Sequence, residues 1–198
     1  MDDGAGFRLG TRAAERLART GAREVRPGLT EAEFRRVEET FGFAFADDHR
    51  AFLAAGLPVG RPDGRGRTRW PDWRDGDPAA LRDRLRAPVD GVLFDVGHNA
   101  FWHEGWGDRP DADTEAVDRA RRLLADVTPL VPVYSHRYLP AGRGAHGHPV
   151  LSVHQTDLIV YGADLDDYVA REFDHAAPAA EGTPEPQVTV PFWRDLTG

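Results

Sequence analysis

The sequence predicts an α+β fold, because helical and strand-like segments occupy separate parts of the chain. Two capped amphipathic segments lie between residues 30 and 56. Three short, mostly apolar segments of strand length follow between residues 130 and 161, and helical spacing returns after them. Helices and strands that are grouped in this way are typical of the α+β class.

A capping box opens the first of the two helices. The hydroxyl of Thr30 is placed to accept from the amide of Glu33, whose carboxylate is placed to accept from the amide of Thr30. The apolar stripe of this helix is Phe34, Val37 and Phe41. Gly42 follows and can take the left-handed conformation that ends a helix.

The neighbouring helices are less strongly marked. One is predicted from Asp47 or Asp48 to Gly56, with Phe52 and Leu53 on its buried side. A weaker helix is expected before both, at residues 13–20. The first quarter of the chain is therefore predicted to be helical.

A further helix is predicted from Asp77, with Pro78 at the first helical position, where its missing amide costs nothing. Pro88 is expected to end this helix, because proline disrupts a helix interior. Residues 89–96 then alternate and predict a strand. The apolar face of that strand would hold Val92, Phe94 and Val96.

The second half of the chain is predicted to hold one helix, three strands and a closing helix. The helix covers residues 113–127. The strands cover residues 130–134, 150–154 and 158–161, with a hairpin turn at residues 155–156. The closing helix begins at Asp164, which forms an acidic variant of the capping box with Asp167.

These elements predict one domain over residues 1–175, since a chain of 198 residues can bury one good core. Residues 176–187 are rich in Ala, Pro and Glu and predict a linker. Residues 188–198 are expected to return and dock Phe192 and Trp193 on the domain. The residues expected in the core are Leu29, Phe34, Val37, Phe41, Phe52 and Leu53, packed against Val92, Phe94, Val131, Val133, Val153 and Ile159.

Composition excludes several kinds of chemistry. The chain has no cysteine, and all 25 of its basic residues are arginine, so thiolate and lysine nucleophiles are both impossible. The net charge of −8 argues against binding to nucleic acid, whose affinity depends on cationic contacts to phosphate, and suits a basic protein partner. No apolar run is long enough for a membrane helix and no signal-peptide core is evident, so a cytoplasmic protein with no membrane partner is expected.

The histidines do not predict a metal site. His136, His146, His148 and His154 lie within 19 residues, but their spacing matches no common zinc motif. Solvated histidines of loops and strands are the preferred interpretation, and we expect no metal and no other cofactor.

Covalent catalysis is not expected either. Ser135 and His136 are adjacent, and neighbouring residues on a strand point to opposite faces. A Gly-x-Ser-x-Gly nucleophile elbow is absent from the sequence. Glu104 and Asp108 flank Trp106 as a possible acid–base pair, but carboxylates of a hydrated loop are the preferred interpretation.

The aromatic residues of the loops have two interpretations. Tryptophans beside Gly and Pro often form a structural plug over the end of a sheet. They also anchor protein partners, because Trp, Tyr and Arg contribute a large share of interface energy. The candidate partner-binding residues are Trp70, Trp73, Trp102, His103, Trp106, Arg109 and Tyr138, supported by the nearby acids Asp72, Glu104 and Asp108.

The paired helices of residues 30–56 resemble the N-terminal helices of the SUKH superfamily, the Smi/Knr-type proteins. Leu130-Val-Pro-Val133, Val150-Leu-Ser-Val153 and residues 158–173 resemble its later strands and closing helix, so the resemblance covers residues 29–173. It implies an α+β domain with helices packed against an antiparallel or mixed sheet. It also implies a binding role without enzymatic activity, since bacterial members are typically immunity proteins that neutralise polymorphic toxins, frequently nucleases.

Two functional hypotheses follow. The first is an acidic cytoplasmic protein of the immunity type that binds a basic toxin domain. The alternative is a small hydrolase or transferase that uses the histidine-rich strands, with or without zinc.

Overall fold

The computed structural model describes residues 4–21, 24–60, 68–174 and 188–197. The α-helices of this part of the chain are α1 (Ala5–Arg19), α2 (Glu31–Phe41), α3 (Asp47–Ala55), α4 (Pro78–His98), α5 (Asp113–Leu124) and α6 (Leu165–Phe173). Its strands are β1 (Glu24–Arg26), β2 (Leu57–Val59), β3 (Leu130–Tyr134), β4 (Arg137–Pro140), β5 (Val150–His154) and β6 (Asp157–Gly162).

The last four strands form one antiparallel sheet. Each strand pairs with the next along the chain, in the order β3-β4-β5-β6. The register places Tyr138 between Pro132 and Leu151, and Leu151 in turn pairs with Val160. The first two strands form a separate antiparallel pair. The fold is therefore α+β, as the order of segments predicts.

The four-stranded sheet lies between two groups of helices. Val131 and Leu139 belong to a cluster that includes Phe52 of α3, which we call the first core. Leu151 belongs to a cluster that includes Val96 of α4, which we call the second core. Successive side chains on a strand point to opposite faces, so one core covers each face of the sheet.

The capping box at the start of α2 is confirmed. The Thr30 amide donates to Glu33 Oε2 over 2.7 Å, and the Glu33 amide donates to Thr30 Oγ1 over 3.3 Å. Gly42 ends the helix with φ of +72°. The local sequence dictates this geometry, which explains why it could be predicted without tertiary information.

The first helix extends well beyond the predicted residues 13–20 and begins at Ala5. Its extra turns pack closely against α3, where a β-carbon added at Gly10 would lie 2.0 Å from the carbonyl oxygen of Asp48. Glycine at this position permits the close approach of the two helices. The tertiary contact stabilises residues whose own helical signal is weak.

The strand predicted at residues 89–96 is wrong, and so is the helix end at Pro88. α4 continues through Pro88 to His98. The spacing of a short apolar segment fits both the strand repeat and the helical repeat. Val92 and Val96 point into the second core with helical spacing, while Phe94 is 45% exposed. Ile159, also expected in the core, is 55% exposed.

Tertiary contacts explain why α4 tolerates its proline. Pro88 cannot donate to the carbonyl of Arg84, one turn earlier. The hydroxyl of Tyr138 donates to that carbonyl over 3.2 Å instead. The carboxylate of Asp95 further joins α4 to the β5–β6 turn, because it accepts from the amide and the hydroxyl of Thr156 over 3.0 and 2.6 Å.

The other elements differ from prediction mainly at their ends. The hairpin at residues 155–156 is present, α5 ends at Leu124 rather than residue 127, and the sequence does not predict the short strands β1, β2 and β4. The predicted linker at residues 176–187 lies outside the described residues. Within residues 188–197, Phe192 and Trp193 are buried in the second core, and Trp193 Nε1 donates to Thr128 O over 2.7 Å. No described helix combines the length and the apolar character that crossing a membrane requires.

Replacement of Phe34 by alanine is expected to lower the free energy of unfolding by about 3 to 5 kcal/mol. The Phe34 side chain is fully buried, contacts the ring of Phe45 edge-on at 5.7 Å, and supports the guanidinium of Arg50 at 4.0 Å. Chemical denaturation measures the change. Phe94→Ala is the control, because a largely exposed ring should contribute less than about 1 kcal/mol. Equal losses in the two variants would contradict this core assignment.

Candidate protein-binding surface

The seven predicted partner-binding residues do not form one exposed surface. Trp70 and Trp73 lie in the first core, and each is only 2% exposed. Trp73 packs edge-on against Phe41 and Phe45, with ring centroids 6.1 and 5.4 Å away. Side chains buried to this extent offer almost no area to another molecule. For Trp70 and Trp73 the structure therefore favours a packing role inside the domain over a role as anchors for a protein partner.

Tyr138 and Trp106 are also buried, with exposed fractions of 4% and 8%. Trp106 stacks on Phe192 of the C-terminal segment, with ring centroids 5.6 Å apart and planes 9° apart. Their rings fill the second core, where Tyr138 also satisfies the carbonyl that Pro88 leaves open. The prediction of an exposed binding surface is therefore wrong for four of the seven residues: Trp70, Trp73, Trp106 and Tyr138.

Trp102, His103 and Arg109 are only partly buried and lie in the loop between α4 and α5. Trp102 Nε1 donates to Gly107 O over 2.7 Å. His103 Nε2 lies 3.3 Å from a carboxylate oxygen of Asp195, which joins the loop to the C-terminal segment. These contacts fix the orientation of both rings.

Two arginines hold this loop in place. Arg119 of α5 donates to the carbonyl oxygens of Trp106 and Asp108 over 2.9 and 3.1 Å. Its guanidinium also lies 5.9 Å from the ring of Trp102. Arg109 joins the end of α4 to the start of α5. The loop is therefore preorganised by its own side chains, which lowers the entropic cost of binding through it.

Exposed carboxylates surround this loop. Residues 99–118 contain six carboxylates and one arginine, and Arg119 and Arg121 contact the same region, so its net charge is −6 + 3 = −3 of the total of −8. All six carboxylates are exposed. We call them the acidic surface: Glu104, Asp108, Asp111, Asp113, Glu115 and Asp118. Asp72, the third expected acid, is engaged elsewhere, since its Oδ1 accepts from the amides of Arg74 and Asp75.

Sequence reasoning missed Phe94 and His98, which lie beside the acidic surface at the end of α4. Both are exposed, and their rings stack with centroids 4.2 Å apart and planes 12° apart. Residues one helical turn apart share a face. A helical interpretation of residues 89–98 would have placed this pair opposite Val92 and Val96, and therefore toward solvent.

The four histidines that are close in sequence lie in different elements, with His136 in a turn, His146 and His148 in a loop and His154 at the end of β5. His146 and His148 lie in the loop between β4 and β5, whose Gly147 amide donates to Asp48 over 2.8 Å. Partial burial lowers the pKa of His148 and of His136 below the ordinary value. Among the described residues, no group of three or more His, Cys, Asp or Glu is arranged to hold a metal ion.

Ser135 and His136 do contact each other, contrary to the expectation from strand geometry. They form the turn between β3 and β4, where Ser135 Oγ lies 3.2 Å from His136 Nδ1. Ser135 has φ of +51°, and Gln155 in the next hairpin turn has φ of +56°. The matching values indicate that hairpin geometry accounts for the backbone conformation of Ser135.

A second exposed region lies on the sheet face beside α6. Ile159 pairs with Ser152, which pairs with Arg137. The Arg137 guanidinium donates to Ser152 Oγ over 3.0 Å and lies 3.9 Å from the ring centroid of Tyr161. This sheet face combines an arginine with uncharged side chains, so its chemistry differs from that of the acidic surface.

Comparison with protein-family models, with curated proteins and with solved structures found no match to this chain. The geometry of the acidic surface and the sequence resemblance are therefore the basis for a functional hypothesis.

Proposed function

We propose that this chain is a non-enzymatic protein-binding domain that neutralises a basic toxin domain, in the manner of bacterial immunity proteins. The observation that carries the proposal is the concentration of net negative charge on one rigid, partly aromatic region. The resemblance of residues 29–173 to the SUKH superfamily supports the immunity role. A nuclease is the toxin class that best fits, because enzymes that bind nucleic acid carry basic surfaces.

Charge of this kind acts mainly on association. An acidic surface raises the local concentration of a basic partner and speeds diffusional encounter by 10-fold to 1,000-fold at low salt. Charges at the rim of an interface change the association rate more than the dissociation rate. The partly exposed ring of Trp102 is the candidate anchor, because it lies in the loop that also carries Glu104 and Asp108 and because aromatic anchors supply much of the binding energy.

The toxin to test is the product of the gene adjacent to this one, purified as its isolated toxin domain. Binding is expected, with an association rate that falls at least about tenfold between low and high salt. Stopped-flow fluorescence measures the rate, and survival of cells that express the toxin measures neutralisation. Binding whose association rate is insensitive to salt would contradict steering by the acidic surface.

Charge-reversal variants locate the surface. Glu104→Arg and Asp108→Arg are expected to slow association by about tenfold or more. Glu39→Arg is the matched control, because Glu39 is also exposed but lies on α2, whose buried side chains belong to the first core on the other face of the sheet. An equal effect of all three changes would mean that total charge, and not this surface, governs association.

The alternative of a small hydrolase has one contact in its favour, that between Ser135 and His136. A serine nucleophile needs an adjacent base, and this base would in turn need an orienting group. Ser135→Ala separates the two proposals. Toxin binding and neutralisation should be unaffected by Ser135→Ala, whereas loss of an esterase activity in the same variant would favour the hydrolase.

A further inference from the structure

An open groove lies between the last turn of α4 and the first turns of α5. Its volume is about 420 Å³, and it is lined by Gly97, His98, Asp113, Thr114, Val117 and Asp118. Most of its lining surface is apolar, and Asp113 and Asp118 are its two acidic residues. A β-carbon added at Gly97 would lie 3.1 Å from Val117 Cγ2, so glycine at this position permits α4 and α5 to pack closely at the floor of the groove.

The groove combines the features that a guanidinium group prefers. Asp113 and Asp118 supply carboxylates, and the ring of His98, which stacks on that of Phe94, also lines the groove. Arginine binds carboxylates through its planar fork and stacks on aromatic faces, whereas lysine presents only a compact charge.

The chain already places one guanidinium at this junction. Arg109 Nη2 donates to Val96 O at the end of α4 over 3.0 Å and to Asp113 Oδ1 at the start of α5 over 2.6 Å. Asp118 Oδ1 accepts from Arg121 over 2.8 Å, in an ion pair with both partners well exposed. A carboxylate has two acceptor oxygens, so the second oxygen of Asp113 and of Asp118 remains suited to an incoming cation.

We infer that this groove receives an arginine side chain of the partner protein. The aliphatic part of that side chain would cover Val117 and Gly97, and its guanidinium would meet the two aspartates beside the stacked rings. This inference deepens the proposed function and rests on it for the identity of the partner. It adds a specific subsite to an acidic surface that otherwise attracts basic proteins only in a general way.

The probe for the groove is N-acetyl-arginine-N-methylamide, and the neutral control is the corresponding citrulline derivative. Nitrogen-15 NMR spectra of the full chain should show saturable shifts of the amide resonances of Gly97, Thr114 and Val117 with the arginine derivative. The citrulline derivative has nearly the same shape without the charge and should cause much smaller shifts. Equal shifts with both compounds, or no saturable shift with either, would overturn the inference.

Two variants on the same helix separate the groove from the general charge. Asp118→Asn should raise the dissociation constant of the arginine derivative about fivefold, as expected for one partly exposed ion pair. Glu115→Gln removes the same charge from an exposed position that does not line the groove, and it should change that constant less than twofold. An equal effect of both variants would overturn the inference.

A third variant tests the space itself. Thr114→Tyr introduces a ring at an exposed position on the groove lining and should abolish the saturable shifts at Gly97 while the melting temperature changes little. Retention of those shifts would show that the probe binds elsewhere.

The same variants distinguish failure of this inference from failure of the proposed function. If the wild-type chain binds the toxin domain and Asp118→Asn binds it as well as Glu115→Gln does, the groove is not the partner's subsite but the proposed function stands. If the wild-type chain binds no toxin, the proposed function fails, and the NMR titration still decides whether the groove accepts arginine.

Discussion

Trp70→Ala is expected to lower the free energy of unfolding by about 4 kcal/mol, among the largest losses that a single core truncation causes. The Trp70 ring is 2% exposed and lies near-parallel to the rings of Phe52 and Phe173, with centroids 6.3 and 5.3 Å away. It also packs against Tyr134 at 4.8 Å. Removal of the indole would leave a large cavity at the junction of α3, α6 and the sheet. Urea denaturation measures the loss.

Trp102→Ala is the matched comparison for that prediction. Trp102 is only partly buried, so its loss should affect stability much less but should weaken toxin binding by about 2 kcal/mol if it anchors the partner. Trp70→Ala should leave binding unchanged once the folded fraction is taken into account. The reverse pattern, a stable Trp70 variant that no longer binds, would return Trp70 to the recognition surface.

The contrast between these two tryptophans shows what the sequence could predict. Both lie in segments rich in Gly, Pro and Asp, and both have the composition of an interface anchor. The burial of Trp70 depends on Phe173, which is far away in the chain, and the burial of a third tryptophan, Trp106, depends in the same way on Phe192. Local composition carries no information about such contacts, so the sequence left the plug and the anchor as alternatives.

Local signals were more successful where the interaction itself is local. The capping box of Thr30 and Glu33 and the hairpin at residues 155–156 depend on neighbours within a few positions. Pro88 shows the opposite case. The rule that a proline disrupts a helix is local and predicts that the helix ends there. The hydroxyl of Tyr138, 50 residues later, instead donates to the Arg84 carbonyl that the proline cannot pair with.

The candidate site was predicted in part. The acids Glu104 and Asp108 and the partly exposed Trp102 belong to the surface that the structure brings together. The groove beside them was not foreseen, because it required α4 to remain helical to His98. A strand interpretation of residues 89–96 assigns Phe94 to the core and hides the helical face that Phe94 shares with His98.

The second large effect is expected from pH. His49 is 1% exposed, its ring packs edge-on against Phe45 at 5.2 Å, and its Nε2 has no hydrogen-bond partner among the described residues. Burial lowers the pKa of His49 from 6.5 to about 3. Between these values the unfolded chain binds a proton that the folded chain does not, so stability must fall as the pH falls.

From pH 7 to pH 5 this one residue should reduce the free energy of unfolding by about 2 kcal/mol, and the loss should continue toward pH 3. His136 and His148, whose pKa values are also lowered, act in the same direction. The carboxylate of Asp48 has the opposite effect on stability. Burial raises its pKa, so the folded protein loses stability as the pH rises and this carboxylate ionises. These groups remain in a His49 variant and therefore cancel in the comparison.

His49→Phe keeps an aromatic ring beside Phe45 and removes the titrating group. From pH 7 to pH 5 its free energy of unfolding should fall by about 2 kcal/mol less than that of the wild type. It should also be at least as stable as the wild type at pH 7, because an unpaired buried nitrogen is removed and such a group costs about 1 to 3 kcal/mol. Denaturation curves at several pH values measure both quantities. An unchanged pH dependence in His49→Phe would mean that other groups cause the acid sensitivity, and that His49 is solvated or paired in the folded protein.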